Sequence, residues 1–201
     1  MGLDRESVVR TALRLLGEVG LDGLTLRRIA AELNVRAPAL YWHVKDKRAL
    51  LDAMAATIFT DALAGLELPL RGESWVEWTA ETARRLRRAT LRHRDGARVL
   101  SGRYLDNACA GRPMELALRT LCDAGFSPRE AARGVTSIYA YVQGFAIEEQ
   151  AARQDPPDEQ AERFPLAAQA RLDLLHADAD ARFEHGLQLL LSGLRLSRYG
   201  R

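Results

Sequence analysis

Net charge is nearly missing: 29 Lys and Arg against 27 Asp and Glu leave +2 over 201 residues. That excludes a uniformly basic coat able to grip any polyanion, but it leaves room for a local basic patch. Lysine is scarce too, Lys45 and Lys47 being the two lysines among those 29 cations. The arginine bias fits a GC-rich coding genome, and it also suits bidentate pairing with phosphate and guanine. Two cysteines, Cys109 and Cys122, are too few for a disulfide framework or a four-ligand zinc site. A reduced, cytoplasmic compartment is therefore expected. No stretch approaches the ~18 consecutive apolar residues of a membrane span, and Asp4, Arg5 and Glu6 interrupt the start where a signal peptide needs an apolar core. There is no alternating strand pattern, no internal repeat, no glycine-rich phosphate loop, no nucleophile elbow and no His-Glu-x-x-His. His43, His93, His176 and His185 have no metal-ligand spacing among them. Adjacent Glu148 and Glu149 would point about 100° apart on a helix, so they cannot share one bond as a catalytic pair. Neither an enzyme, a cofactor nor a metal is expected.

What is present is helical period, at a globular balance of 47% hydrophobic and 28% charged residues. Residues 4–20 set Val9, Ala12, Leu13, Leu16 and Val19 on one face behind Asp4 as cap, with Gly20 and Gly23 closing the helix. Thr25 can cap the next, where Leu26, Ile29, Ala30 and Leu33 follow the apolar spacing. Asn34 suits a left-handed turn. A third, short helix is expected from about Arg36 to Trp42, with Pro38 in its first turn. Asp46 caps a fourth carrying Leu51, Met54, Ala55 and Ile58. Beyond residue 64 the helices lengthen. Ser74 with Glu77, and Ser127 with Glu130, form capping boxes. The last helix, about 180–197, aligns Phe183, Leu187, Leu190, Leu191 and Leu194. The aperiodic stretches 65–73, 101–113 and 151–165 read as loops. The fold class is all-α.

Residues 25–44, TLRRIAAELNVRAPALYWHV, describe a capped helix, a tight turn and a helix too short to support itself. Such a helix is worth building when its outer face is needed in a DNA groove. That face offers Arg36, Ala37, Ala39, Tyr41, Trp42 and His43. Arginine can read guanine, alanine methyls can touch thymine, and tyrosine and histidine can bond phosphate. Lys45, Lys47 and Arg48 stand at the start of the following helix as a phosphate clamp. Residues 1–48 hold nine cations and six acids, against twenty and twenty-one in 49–201. The positive excess thus lies in the first unit. An ordinary helical hairpin with Tyr41 and Trp42 buried is the competing reading.

The segment GLTLRRIAAELNVRAPALYWHVKDKRALLDAM resembles the N-terminal domain of the TetR family of regulators. The resemblance continues through GESW, HRDGARV, AGFS and IEEQ, and within the family it is most like the tetracycline repressors. It implies a homodimeric repressor of double-stranded operator DNA that lets go when a small molecule enters its C-terminal domain. The expected division is a helix-turn-helix unit (1–48), a connecting helix (49–64) and an effector-binding and dimerisation domain (65–201). By resemblance, Thr25 and Arg27 contact the operator, Pro38, Ala39, Tyr41, Trp42 and His43 lie along the recognition helix, and Lys47 holds phosphate. Those repressors carry a Glu-Gln pair where this chain has Arg36 and Ala37, so a palindrome other than the tetracycline operator is expected. A ligand-independent regulator or activator of the same fold is the alternative.

The resemblance also points to an altered effector pocket. The magnesium-binding histidine of tetracycline repressors falls at Leu100, an orienting asparagine at Thr82, a phenylalanine at Leu86, a threonine at Arg103 and a glutamine at Ala117. Glu148 alone matches an acidic residue near the metal. A hard cation wants several oxygen or imidazole ligands, so magnesium–tetracycline is not the expected effector. From the residues themselves, Trp75, Trp78, Thr82, Leu86 and Ala89 share one helix face. Arg103 and Tyr104 are polar candidates at a pocket mouth. Seven arginines between 84 and 98 read as a solvated, salt-bridged face, with an anion site or a DNA-facing surface left open. The helices 128–150 and 180–197 carry apolar stripes broken by Gly134, Gly144, Gly186 and Gly193, which suit either a dimer interface or the subunit's own core.

Overall fold

The computed structural model describes residues 3–70, 72–103, 107–151, 163–176 and 178–199. Tyr104 and most of the expected loop 151–165 lie outside the described residues. Among those described there is no strand, and the elements run α1 (Arg5–Gly23), α2 (Leu26–Glu32), α3 (Ala37–Leu40), α4 (Lys47–Ala62), α5 (Trp75–Leu91), α6 (Gly96–Leu100), α7 (Asn107–Asp123), α8 (Pro128–Ala151), α9 (Pro165–His176) and α10 (Ala179–Tyr199).

The capping residues start their helices as expected. Asp4 accepts from the Ser7 amide at 2.7 Å, Thr25 from Arg28 at 3.2 Å and Asp46 from Ala49 at 2.7 Å. Ser74 with Glu77 and Ser127 with Glu130 close their boxes through both side chains. Gly20, the expected stop of α1, is instead a break inside it. At φ 68° it lets the chain bend, and one further helical turn follows to Gly23. A Cβ there would also stand 3.1 Å from the Asp95 carboxylate, so this position needs glycine twice over.

The region 101–113 departs from expectation, since α7 already begins at Asn107 and runs through Pro113. Gly111 and Pro113 conceal a helical period, for Ala110, Pro113, Met114 and Ala117 face one interior space.

One apolar core runs through α1, α4, α5, α8 and α10, from Val8 and Leu16 to Met54, Leu86, Val142 and Phe183. Helix α4 packs on α1, α5, α6 and α7, so it joins the first three helices to the rest. Gly134 lies against Leu194, and a Cβ at Gly186 would overlap the Tyr141 hydroxyl, so these two glycines serve α8–α10 packing within the subunit. Gly144 and Gly193 face open space. Among the described residues no helix is long and apolar enough to cross a membrane.

Candidate functional site

Asn34 makes the turn of the helix-turn-helix at φ 54°, and the Val35 amide bonds back to Ala30 O at 2.9 Å. The helix after it is shorter than its sequence suggests. Four residues are helical, then Tyr41, Trp42 and His43 continue in tighter turns, with the Tyr41 amide on Pro38 O at 3.3 Å and His43 on Leu40 O at 2.9 Å. Leu40 and Val44 are buried and anchor the segment. Its outer side is bare: Trp42 is 90% and Tyr41 55% exposed. The hairpin reading, which needs both rings in the core, does not describe this surface.

Arg27, Arg36, Pro38 and Lys47 are exposed as well, while Ala37, Ala39 and His43 are half-buried. The Thr25 hydroxyl is committed to its cap, and Lys47 Nζ donates to Leu21 O at 3.3 Å. Among the described residues no ion pair occupies Arg27, Arg28, Arg36, Lys45, Lys47 or Arg48. Several cations elsewhere are paired. Arg10 pairs with Asp61, Arg14 with Glu32, and Arg84 with Glu184 at 2.6 Å. Unpaired cations around exposed aromatic rings are what a phosphate backbone requires.

The arginine run of α5 is a salt-bridged face, with one exception. Arg87 is only 8% exposed, and its guanidinium bonds Glu149 at 2.7 Å and Asp180 at 2.6 Å beneath the Phe183 ring. Burial opposes its charge, but the two carboxylates outweigh burial and hold its pKa above the ordinary arginine value.

Behind the helix-turn-helix, α4, α5, α7 and α8 line a cavity of about 260 Å³. Thr82, Leu86, Arg103 and Ala117 line it together with Phe59, Trp78, Met114, Val135 and Tyr139. Leu100 is buried outside that lining, and Glu148 is exposed on α8. Trp75, grouped with Trp78 by spacing, turns instead against Phe126 at 5.1 Å. The Trp78 wall is fixed by its indole N–H on Glu67 O at 2.8 Å. Thr79, Thr82 and Thr136 each spend their hydroxyl proton on a carbonyl one turn back, at 2.6, 2.9 and 2.8 Å. Toward a ligand they can therefore only accept. Burial raises the Tyr139 phenol, which keeps its proton and remains a donor.

Two polar joints tie the later helices to α4 and α1. At the first, Arg103 Nη1 bonds Asp52 of α4 at 3.1 Å. At the second, α6 grips the end of α1: the Asp95 carboxylate accepts from the Leu21 amide at 2.9 Å, and Arg98 pairs with Asp22 at 3.2 Å. Gln150 staples α8 to this joint, its amide accepting from Ala97 N at 3.0 Å and donating to His93 O at 2.8 Å.

An exposed helix-turn-helix tied through one helix to an apolar cavity defines a DNA-binding regulator with a ligand chamber. Comparison with known proteins agrees. Residues 8–54 match the model for bacterial regulatory proteins of the tetR family, and residues 68–198 the tetracyclin repressor-like C-terminal domain. The chain is 40% identical over 207 residues to the class C tetracycline repressor protein of Escherichia coli, covering 98% of this chain and 92% of that one. A possible TetR family transcriptional regulator from Streptomyces coelicolor superposes with a TM-score of 0.85 at 39% identity, over 96% of this chain and all of its own. The Streptomyces coelicolor protein ActR, solved in complex with actinorhodin, superposes at 0.83 with 30% identity over the whole of both chains. This chain belongs to the TetR family of DNA-binding transcriptional regulators, and it is not an enzyme.

Proposed function

We propose that the chain is a cytoplasmic, ligand-released repressor that binds a palindromic operator as a homodimer. The observation that carries the reading is the double duty of α4. It follows directly from the recognition segment, and it walls the cavity with Phe59. A ligand that fits one placement of α4 better than another shifts the DNA-facing unit by that difference in affinity. A related regulator holds actinorhodin, which supports a cavity made for organic ligands.

The effector is not magnesium–tetracycline. The described lining contains no carboxylate and no imidazole, and magnesium needs several hard oxygen ligands. Arg36 and Ala37 bring one guanine-reading donor and one methyl to the recognition segment, so the operator differs from that of the tetracycline repressors. Arg27, Pro38, Ala39, Tyr41, Trp42, His43 and Lys47, with Thr25 at the cap, complete the surface offered to DNA.

Selection of bound duplexes from a random pool, followed by salt titration of the winner, tests this. A two-fold symmetric site whose affinity falls steeply with salt is expected. Enrichment of no site by protein shown to be ligand-free would sink the reading.

A further inference from the structure

The cavity is electrically lopsided. Of its described lining residues, Arg103 alone carries a formal charge, and the rest are apolar side chains, three threonines and Tyr139. A guanidinium has five N–H donors. Nη1 is held by Asp52, while the buried Nε finds no acceptor among the described residues. Asp52 itself is 43% exposed, so solvent can take over its charge if the arginine turns away. An apolar chamber with one under-used guanidinium favours a ligand whose body is apolar and whose edge is acidic. A carboxylate or acidic phenolate would meet a planar fork in a setting poor in water, where such pairs gain most.

We propose that the cavity selects apolar, ring-sized ligands bearing one acidic oxygen group, and that Arg103 receives this group in competition with Asp52. The inference rests on the ligand-responsive reading above and adds the chemistry of the ligand. It also makes the Asp52–Arg103 pair the place where occupancy reaches α4, since a ligand that draws the guanidinium inward releases a carboxylate of that helix.

Naphthoate and naphthamide, which share a shape and differ in charge, are suitable probes. Calorimetric titration into the full-length protein is expected to show naphthoate binding about tenfold or more tightly than naphthamide, the worth of one charge-assisted pair. Arg103→Met is expected to erase that preference by weakening naphthoate far more than naphthamide, and the naphthamide binding that remains reports on the cavity. Asp52→Asn, by freeing the guanidinium, is expected to raise naphthoate affinity severalfold. Equal binding of both probes to the wild-type protein overturns the proposal and leaves the ligand-responsive reading standing. Binding of neither probe counts against both. A preference that survives Arg103→Met moves the acid to another donor and overturns the assignment. If Arg103→Met loses both probes, Asp52→Asn decides: unchanged naphthoate affinity there overturns the competition.

Discussion

Trp42 contributes almost nothing to the core, because nine-tenths of its surface already meets water. Trp42→Ala is therefore expected to leave the melting temperature within the range of an ordinary surface substitution, about ±0.5 kcal/mol. Operator affinity is expected to fall at least tenfold, since an exposed ring beside unpaired cations has its partner on the DNA (about 1–3 kcal/mol per good contact). An unchanged operator affinity by fluorescence anisotropy would remove the ring from the interface. Arg87 is the opposite case. Its charge is satisfied inside the subunit, and removing it strands Glu149, which is itself mostly buried. Arg87→Met is expected to cost about 3 kcal/mol in denaturant unfolding, and Arg87→Met with Glu149→Gln to recover part of that loss. Asp180 adds little to this balance, being largely exposed. Both residues sit in arginine- or aromatic-rich sequence that looks alike on paper. Only packing tells the solvated side chain from the buried one.

At the scale of elements, the capped helices were legible because caps and apolar spacing are local. The third helix came out shorter because its apolar anchors are only Leu40 and Val44, and the turn between them tightens to bring both inward. Helix α7 was hidden because Gly111 and Pro113 break local propensity, while tertiary packing against α8 restores the helix. Thr82 and Leu86 were legible as cavity residues from the face they share with Trp78. The contributions of Phe59 and Tyr139 depend on how α4 and α8 approach, which no single-helix period contains. The joint between α1 and α6 was legible only as two separate motifs, HRDGARV and IEEQ, that Gln150 ties together. This joint carries a pH dependence. Burial lowers the His93 pKa below its ordinary 6.5, with Arg10 and Arg92 acting in the same direction and Asp61 against it. Unfolding restores the ordinary value, so the unfolded chain binds the proton more readily. The stability due to neutral His93 is full above about pH 6.5 and declines as the pH falls from there toward the lower folded value. Melting curves of His93→Gln are expected to lose less stability than wild type between about pH 7 and pH 5.5. Parallel loss in both proteins would assign the dependence to other groups.

At the scale of the molecule, the unanswered surface is the outer side of the α8–α10 pair. Gly134 and Gly186 are consumed by packing between the two helices, yet Gly193 faces open space next to Leu189, which is 62% exposed, and Leu196, which is 71% exposed. These three positions form one stripe along α10, and Arg133 and Ser137 of α8 border the same groove. A stripe of exposed leucines around an open glycine suits close approach of a matching helix pair, and a two-fold axis supplies that from an identical chain. The palindromic operator proposed above calls for the same symmetry, because a recognition helix of a single turn makes too few base contacts to specify a site alone. Dimerisation and operator recognition should then fail together while ligand binding persists. Leu189→Arg places a charge in the stripe without touching the cavity lining or the helix-turn-helix. Sedimentation equilibrium is expected to show a monomer, operator affinity to collapse to the non-specific level, and the slope of log affinity against log salt to fall by about half as one set of phosphate contacts is lost. Naphthoate titration of the same variant is expected to match wild type, since Leu189 lies outside the described cavity lining. A Leu189→Arg protein that remains dimeric and still reads a symmetric site would place the interface elsewhere on the subunit.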